Sequence, residues 1–379
     1  MKFVKLCCVL LLCLSLCGCN LLSASSYISI VDHQHSSKPG ANQSFSAGDY
    51  EELYEALLEM IESGVTQRTI SVDAYEKETL ASDLKHVADD ICTTHPIAAY
   101  AVENITCTVG SSGGTDALSV EISYIHDKTQ IRKIVKVADN KAAHNVIATA
   151  LNNCETGIVL QILNYEDVDF EQIIEDYALQ YPEFVMETPQ VTVSLYPDAG
   201  KNRVVELKFT YQTSREILKN MQSQVSPVFA SAVLYVSGDG EDQEKFSQLY
   251  SFLMERYDYV METSITPTYS LLRHGVGDVR AFAVVYAAMC RQAGLECLVV
   301  SGTRNGESWY WNIVLDNGVY YHVDLLRCSQ EGNFQEMGDR QMEGYVWAAD
   351  FYPACGLDEP EPDPDPDANP EEDEEIIEK

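Results

Sequence analysis

Helical spacing of apolar positions first emerges at Tyr50–Ile61, where Leu53, Ala56, Leu57, Met60 and Ile61 share one face. Thr69–Val72 reads as a short strand, and a second helix is predicted from about Leu80 to Thr93. Pro96 then leads into two strands, Asn104–Val109 and Ala117–Ile125, joined across the Gly-rich turn Ser111–Gly114. The same order recurs downstream as helix Val146–Leu151, strand Ile158–Leu163, helix Phe170–Leu179, Pro182, strand Gln190–Leu195, turn Pro197–Gly200 and strand Arg203–Tyr211. His95-Pro96 matches Tyr181-Pro182, Asn104-Ile105-Thr106 matches Gln190-Val191-Thr192, and Val120-Glu121-Ile122 matches Val205-Glu206-Leu207, at offsets of 85 or 86 residues. Two small repeated α+β modules are expected, over residues 49–140 and 141–220, each burying one helix-covered sheet face. Beyond them Phe246, Leu249, Phe252, Leu253 and Tyr257 fall on another helical face. A Gly-containing loop then opens an apolar helix that runs to Gly294, and strand-like stretches follow.

The two ends of the chain break this pattern. Lys2 and Lys5 precede an apolar run, Leu6–Leu16, too short to span a bilayer as a stable helix, which reads as an export signal over residues 1–19. Its close, Leu16-Cys17-Gly18-Cys19, resembles the bacterial lipobox, which implies a lipid on Cys19, membrane lipid as a partner, and an anchored chain on the extracytoplasmic face of a cell membrane. Residues 20–48 turn to Ser, Gly, Gln and Asn and read as a flexible linker, with His33 and His35 solvated in it rather than holding metal. Residues 357–379 carry twelve acidic residues and one basic one among prolines, the composition of a disordered tail.

Charge and cysteine placement narrow the function classes. With 59 Asp and Glu against 25 Lys and Arg, the net charge of −34 and the lack of any basic cluster argue against nucleic-acid binding. Of the twelve cysteines, five lie in the first twenty residues, and the other seven have no CxxC spacing. Buried thiols are therefore expected rather than a zinc site or a disulfide framework, and no metal or cofactor is expected.

The most specific stretch runs from Lys245 to Cys355. It contains Gly275-Val276-Gly277-Asp278-Val279-Arg280-Ala281-Phe282-Ala283, then Trp309-Tyr310-Trp311-Asn312, then Tyr321-His322-Val323-Asp324. These ordered motifs resemble the bacterial transglutaminase-like domain of the papain-like cysteine-enzyme superfamily. The resemblance implies an α+β fold for residues 221–356 and a Cys–His–Asp triad, with the thiolate at the N-terminus of the buried helix. Gly275, Gly277, Phe282, Ala283, Trp311 and Asn312 hold family positions, but Val279 stands where the Cys belongs and Trp309 where the His belongs. Only Asp324 matches the third member. A valine offers no lone pair and an indole N–H only donates, so the triad is read as degenerate.

No other thiol fits the vacated place. Cys290 lies eleven residues past Val279, about 16 Å along a helix, and Cys297 and Cys328 read as core or loop thiols. Asp278 is placed to cap the buried helix. His322 shares a strand face with Asp324, and Trp309, Tyr310, Trp311 and His322 are the candidates for a ligand-binding cleft. The expected function is non-catalytic binding of a peptide, protein or cell-wall component, or scaffolding. The alternatives are an active cysteine peptidase or transglutaminase with an unconventional nucleophile, and a purely structural spacer.

Overall fold

A computed structural model describes residues 45–112 and 114–356; the export signal, Cys19, most of the linker and the acidic tail lie outside the described residues. The chain is mixed α+β and divides into two compact units. One holds residues up to 142 with 161–165 and 196–203, and the other 143–160, 166–195 and 204 onward.

In the first unit, α1 (Tyr50–Ser63) begins where the Asp49 carboxylate accepts from the Glu52 amide at 3.0 Å and ends at Gly64, whose φ of 61° is left-handed. Helix α1 is followed by β1 (Gln67–Ser71), α2 (Lys77–Thr94), α3 (Pro96–Ala101), β2 (Val102–Ser112) and β3 (Thr115–Tyr124). Pro96 starts a separate short helix, α3, rather than leading straight into a strand, because proline at the first helical position forfeits no hydrogen bond. The antiparallel sheet has the order β1-β3-β2, with Ile70 opposite Leu118. Leu53, Leu57, Met60 and Ile61 pack with Ile70, Leu118 and Val120, so the apolar stripe read from the sequence is the core face. Each such side chain contributes about 1.5–3 kcal/mol by leaving water.

The elements α4 (Lys128–Ile131) and β4 (Val135–Asp139), which the apolar pattern did not signal, lead to α5 (Asn140–Asn152), β5 (Gly157–Asn164), α6 (Phe170–Gln180), β6 (Gln190–Tyr196) and β7 (Arg203–Thr210). Strands β4, β5, β7 and β6 form a four-stranded sheet in that order. The last strand of the block therefore lies between β5 and β6, as β3 does between β1 and β2.

In the second unit, α7 (Arg215–Ala230) and α8 (Asp242–Met254) pack around α10 (Val279–Gln292), which is reached through the short parallel pair β8 (Asp258–Tyr259) and β9 (Val276–Gly277) and the single turn α9 (Pro267–Tyr269). Every residue of α10 from Ala281 to Cys290 is buried. The sheet beside it runs β12-β11-β10-β13, built from β10 (Cys297–Arg304), β11 (Glu307–Asp316), β12 (Val319–Val323) and β13 (Tyr345–Trp347), with α11 (Leu325–Glu331) following β12. Leu179, Met186 and Cys154, from the stretch expected as the second module, share one core with Phe246, Phe282 and Val285. The cut expected at residue 220 is thus not where the compact units separate.

Candidate functional site

The loop into α10 is shaped by its glycines. Gly275 sits at φ 83°, a left-handed conformation that ends the turn Ser270–His274, and a Cβ on Gly277 would come within 2.8 Å of Ala281 Cβ. Asp278 caps the helix as expected, accepting from the Ala281 amide at 2.9 Å. Val279 follows as the first helical residue and is half-buried. Arg280 turns away to Glu175 at 2.7 Å and Thr188 at 3.3 Å. The retained Asn312 acts as a clamp, because its Nδ2 donates to the carbonyl of Ala283 in α10 at 2.9 Å and to that of Leu298 in β10 at 3.2 Å.

Asp324 is 1% exposed and fully engaged. Its Oδ1 accepts from the amides of Leu326 and Arg327 at 3.0 and 3.1 Å, capping α11. Its Oδ2 accepts from Trp309 Nε1 at 2.8 Å, from the Tyr345 hydroxyl at 2.6 Å and, more distantly, from Arg304 Nη1 at 3.4 Å. Tyr345 and Arg304 carry no motif and lie 21 and 20 residues from Asp324, so sequence reasoning had no signal for them. Val279 and Asp324 line the same crevice with Phe282, Asn312 and Leu326, and the crevice has no room for a water molecule.

A second polar network joins Trp311, His322 and Asp339. Trp311 Nε1 is 2.9 Å from His322 Nδ1, and His322 Nε2 is 2.9 Å from Asp339 Oδ1, with both aromatic residues wholly buried. An indole N–H can only donate, which fixes His322 Nδ1 as the acceptor and leaves the proton on Nε2, aimed at the Asp339 carboxylate. Burial lowers the His322 pKa, against the opposing pull of Asp339. His322, Asp339 and Cys355 present potential ligand atoms within 4.8 Å of one another. The donor set fits a metal poorly, however, because the nitrogen facing the cluster is the protonated one.

The expected cleft of Trp309, Tyr310, Trp311 and His322 does not form as a unit. Trp311 and His322 have no exposed surface: Trp311 belongs to the small core with Val300, Ile313 and Met337, and His322 is buried with a hydrogen bond at each ring nitrogen. Trp309 and Tyr310 are half-buried. Burial raises the thiol pKa of Cys290 far up, that of Cys328 to about 11 and that of Cys355 to about 12. Such thiols stay protonated and are poor nucleophiles.

With this geometry in place, residues 230–349 match the model of the transglutaminase-like superfamily, and this part of the protein is a transglutaminase-like domain. Among solved structures the chain is similar to one described as a TGase, at 10% identity and TM-score 0.25 over 51% of this chain and 58% of that one. It is also similar to a "putative protease" from Parabacteroides distasonis, at 10% identity and TM-score 0.23 over 68% and 39%. A third is a "putative cysteine protease" from Cytophaga hutchinsonii, at 11% identity and TM-score 0.25 over 41% and 70%. The chain thus spans less than two thirds of the first two proteins. No curated protein matches it.

Proposed function

We propose that the transglutaminase-like domain is non-catalytic and that the protein is an envelope-anchored binding or scaffolding lipoprotein. One observation carries this reading: the Asp324 carboxylate, the remaining triad position, is spent on an indole N–H, a phenol and two helix amides beside an apolar Val279. A valine supplies no nucleophile, and a Trp309 that donates to the acid cannot accept a proton from a thiol. The raised thiols of Cys290, Cys328 and Cys355 support the same reading. The test is thiol profiling of the whole protein at neutral pH beside assays for peptide hydrolysis and glutamine–amine crosslinking. Absence of turnover and of any hyperreactive cysteine is expected, whereas turnover abolished by mutating one cysteine refutes the reading.

The anchor is part of the proposal: Cys19 would carry lipid at the mature N-terminus and hold the chain outside the cytoplasm. Among the described residues no helix is long and apolar enough to cross a membrane. Mass spectrometry of membrane-extracted protein should find an acylated peptide starting at Cys19, and an unmodified terminus elsewhere would remove the anchor. The placement of β7 between β5 and β6, like that of β3 between β1 and β2, supports descent of the two blocks from one duplicated module, with β4 an added strand in the second sheet.

A further inference from the structure

A cleft of about 620 Å³, away from Val279 and Asp324, opens between α6 and the face of β10. That volume is in the range of specific ligand sites. Leu179, Leu298 and Val299 give it apolar walls, and the short turn before Pro353 contributes Tyr352 and Phe351, the latter 85% exposed at the rim. A large apolar ring held out in water beside a lined cavity is surface available for a ligand.

The charges around the cleft are uneven. Arg291 on its wall is taken up by Glu183 and the Gln180 carbonyl, both at 2.6 Å, and nearby Arg280 is held by Glu175 at 2.7 Å. Asp176 has no ion-pair partner among the described residues; its Oδ1 accepts from Gln172 Nε2 at 2.7 Å. The lining therefore combines one carboxylate without an ion-pair partner, two aromatic rings and aliphatic walls. That combination selects an ammonium or guanidinium carried on an apolar stem. The chain's own acidic tail has the wrong sign for this cleft, and a protein of net charge −34 draws cationic partners toward it.

We propose that this cleft binds a peptide segment presenting a lysine or arginine beside apolar residues, with the cation against Asp176 and its neighbours on Phe351 and Tyr352. The inference deepens the binding role proposed above and rests on it. The test titrates the full-length, detergent-solubilised protein with fluorescein-labelled Leu-Lys-Leu-Phe-amide and with its Glu counterpart, Leu-Glu-Leu-Phe-amide. The Lys peptide should bind at least tenfold more tightly. Asp176→Asn should weaken it roughly five- to tenfold and erase most of the preference. Ser301→Trp, which fills the cleft from an exposed strand position, should abolish binding while leaving the melting temperature of the protein near that of the wild type. Equal binding of the two peptides, no binding of the Lys peptide at millimolar concentration, or binding indifferent to both substitutions overturns the proposal. So does equally tight binding of free cadaverine, or a self-association that Ser301→Trp disrupts. Cleavage of the bound Lys peptide with Asp176 dependence intact would support the site and sink only the non-catalytic reading.

Discussion

The indole N–H of Trp309 donates to Asp324 Oδ2 at 2.8 Å. A bulky, non-basic ring thus supplies the same kind of contact to the acid that an imidazole would, and an indole in this place cannot act as a base. Trp309→Phe removes that donor together with part of the ring's packing surface. A loss of about 1–2 kcal/mol in urea unfolding is expected, and no change would show that the contact contributes nothing.

Asp324→Asn presents a sharper case. An amide placed so that its oxygen still caps α11 turns an NH2 toward Trp309 Nε1, the Tyr345 hydroxyl and Arg304, setting donors against donors. The expected cost is about 2–4 kcal/mol, because buried Tyr345 and half-buried Trp309 and Arg304 lose their acceptor together. An unfolding midpoint within error of wild type would contradict the role assigned to this carboxylate.

Gly302 lies under Trp311, and a Cβ there would meet the Val346 carbonyl and approach Trp311 Cη2 to 2.8 Å. Gly302→Ala should therefore destabilise the protein by about 1–3 kcal/mol through overpacking between β10 and β13. Near-UV circular dichroism of the tryptophans would register the shift, and an unchanged spectrum and stability would argue against the close packing.

Stability should fall with acid. Burial, aided by Lys136, holds the His95 pKa down to about 4 from its ordinary 6.5, and burial also lowers that of His322. Both rings are neutral in the folded protein, whereas the unfolded chain takes up protons below about pH 6.5. Their contribution is present above that pH and is lost as pH drops, for His95 down to about pH 4. Protonating His322 would also set an Nδ1–H against the Trp311 N–H. Denaturation at pH 7.5, 6.0 and 4.5 should show this decline, less steep in His95→Gln, and parallel profiles would exclude His95 as a source.

Much of this was readable along the chain, and the exceptions share a cause. The stripe Leu53–Ile61, the Asp278 cap and the places of Val279, Trp309 and Asp324 along the chain are local signals, carried by spacing or by motif. The donors that complete Asp324, Tyr345 and Arg304, sit on separate strands, and Asp339 reaches His322 from a later turn. Nothing local marks such meetings; they are fixed only when the sheet order β12-β11-β10-β13 is known. The four-residue aromatic cleft failed for a related reason. Alternation does send Trp309 and Trp311 to one face, but that face is covered at Trp311 by Tyr345 and Trp347, whose rings lie 5.3 and 5.9 Å away.

The saturation of Asp324 also bears on ancestry and on redesign. A thiol introduced at position 279 alone would meet no base, and an imidazole introduced at position 309 alone would contend with the Tyr345 hydroxyl for one oxygen while having nothing to deprotonate. Neither change brings a benefit without the other, and each disturbs a corner that now holds up a helix. Under the non-catalytic reading proposed above, such a corner is ratcheted: a triad here requires both replacements together, while each further contact to the acid commits it more deeply to architecture.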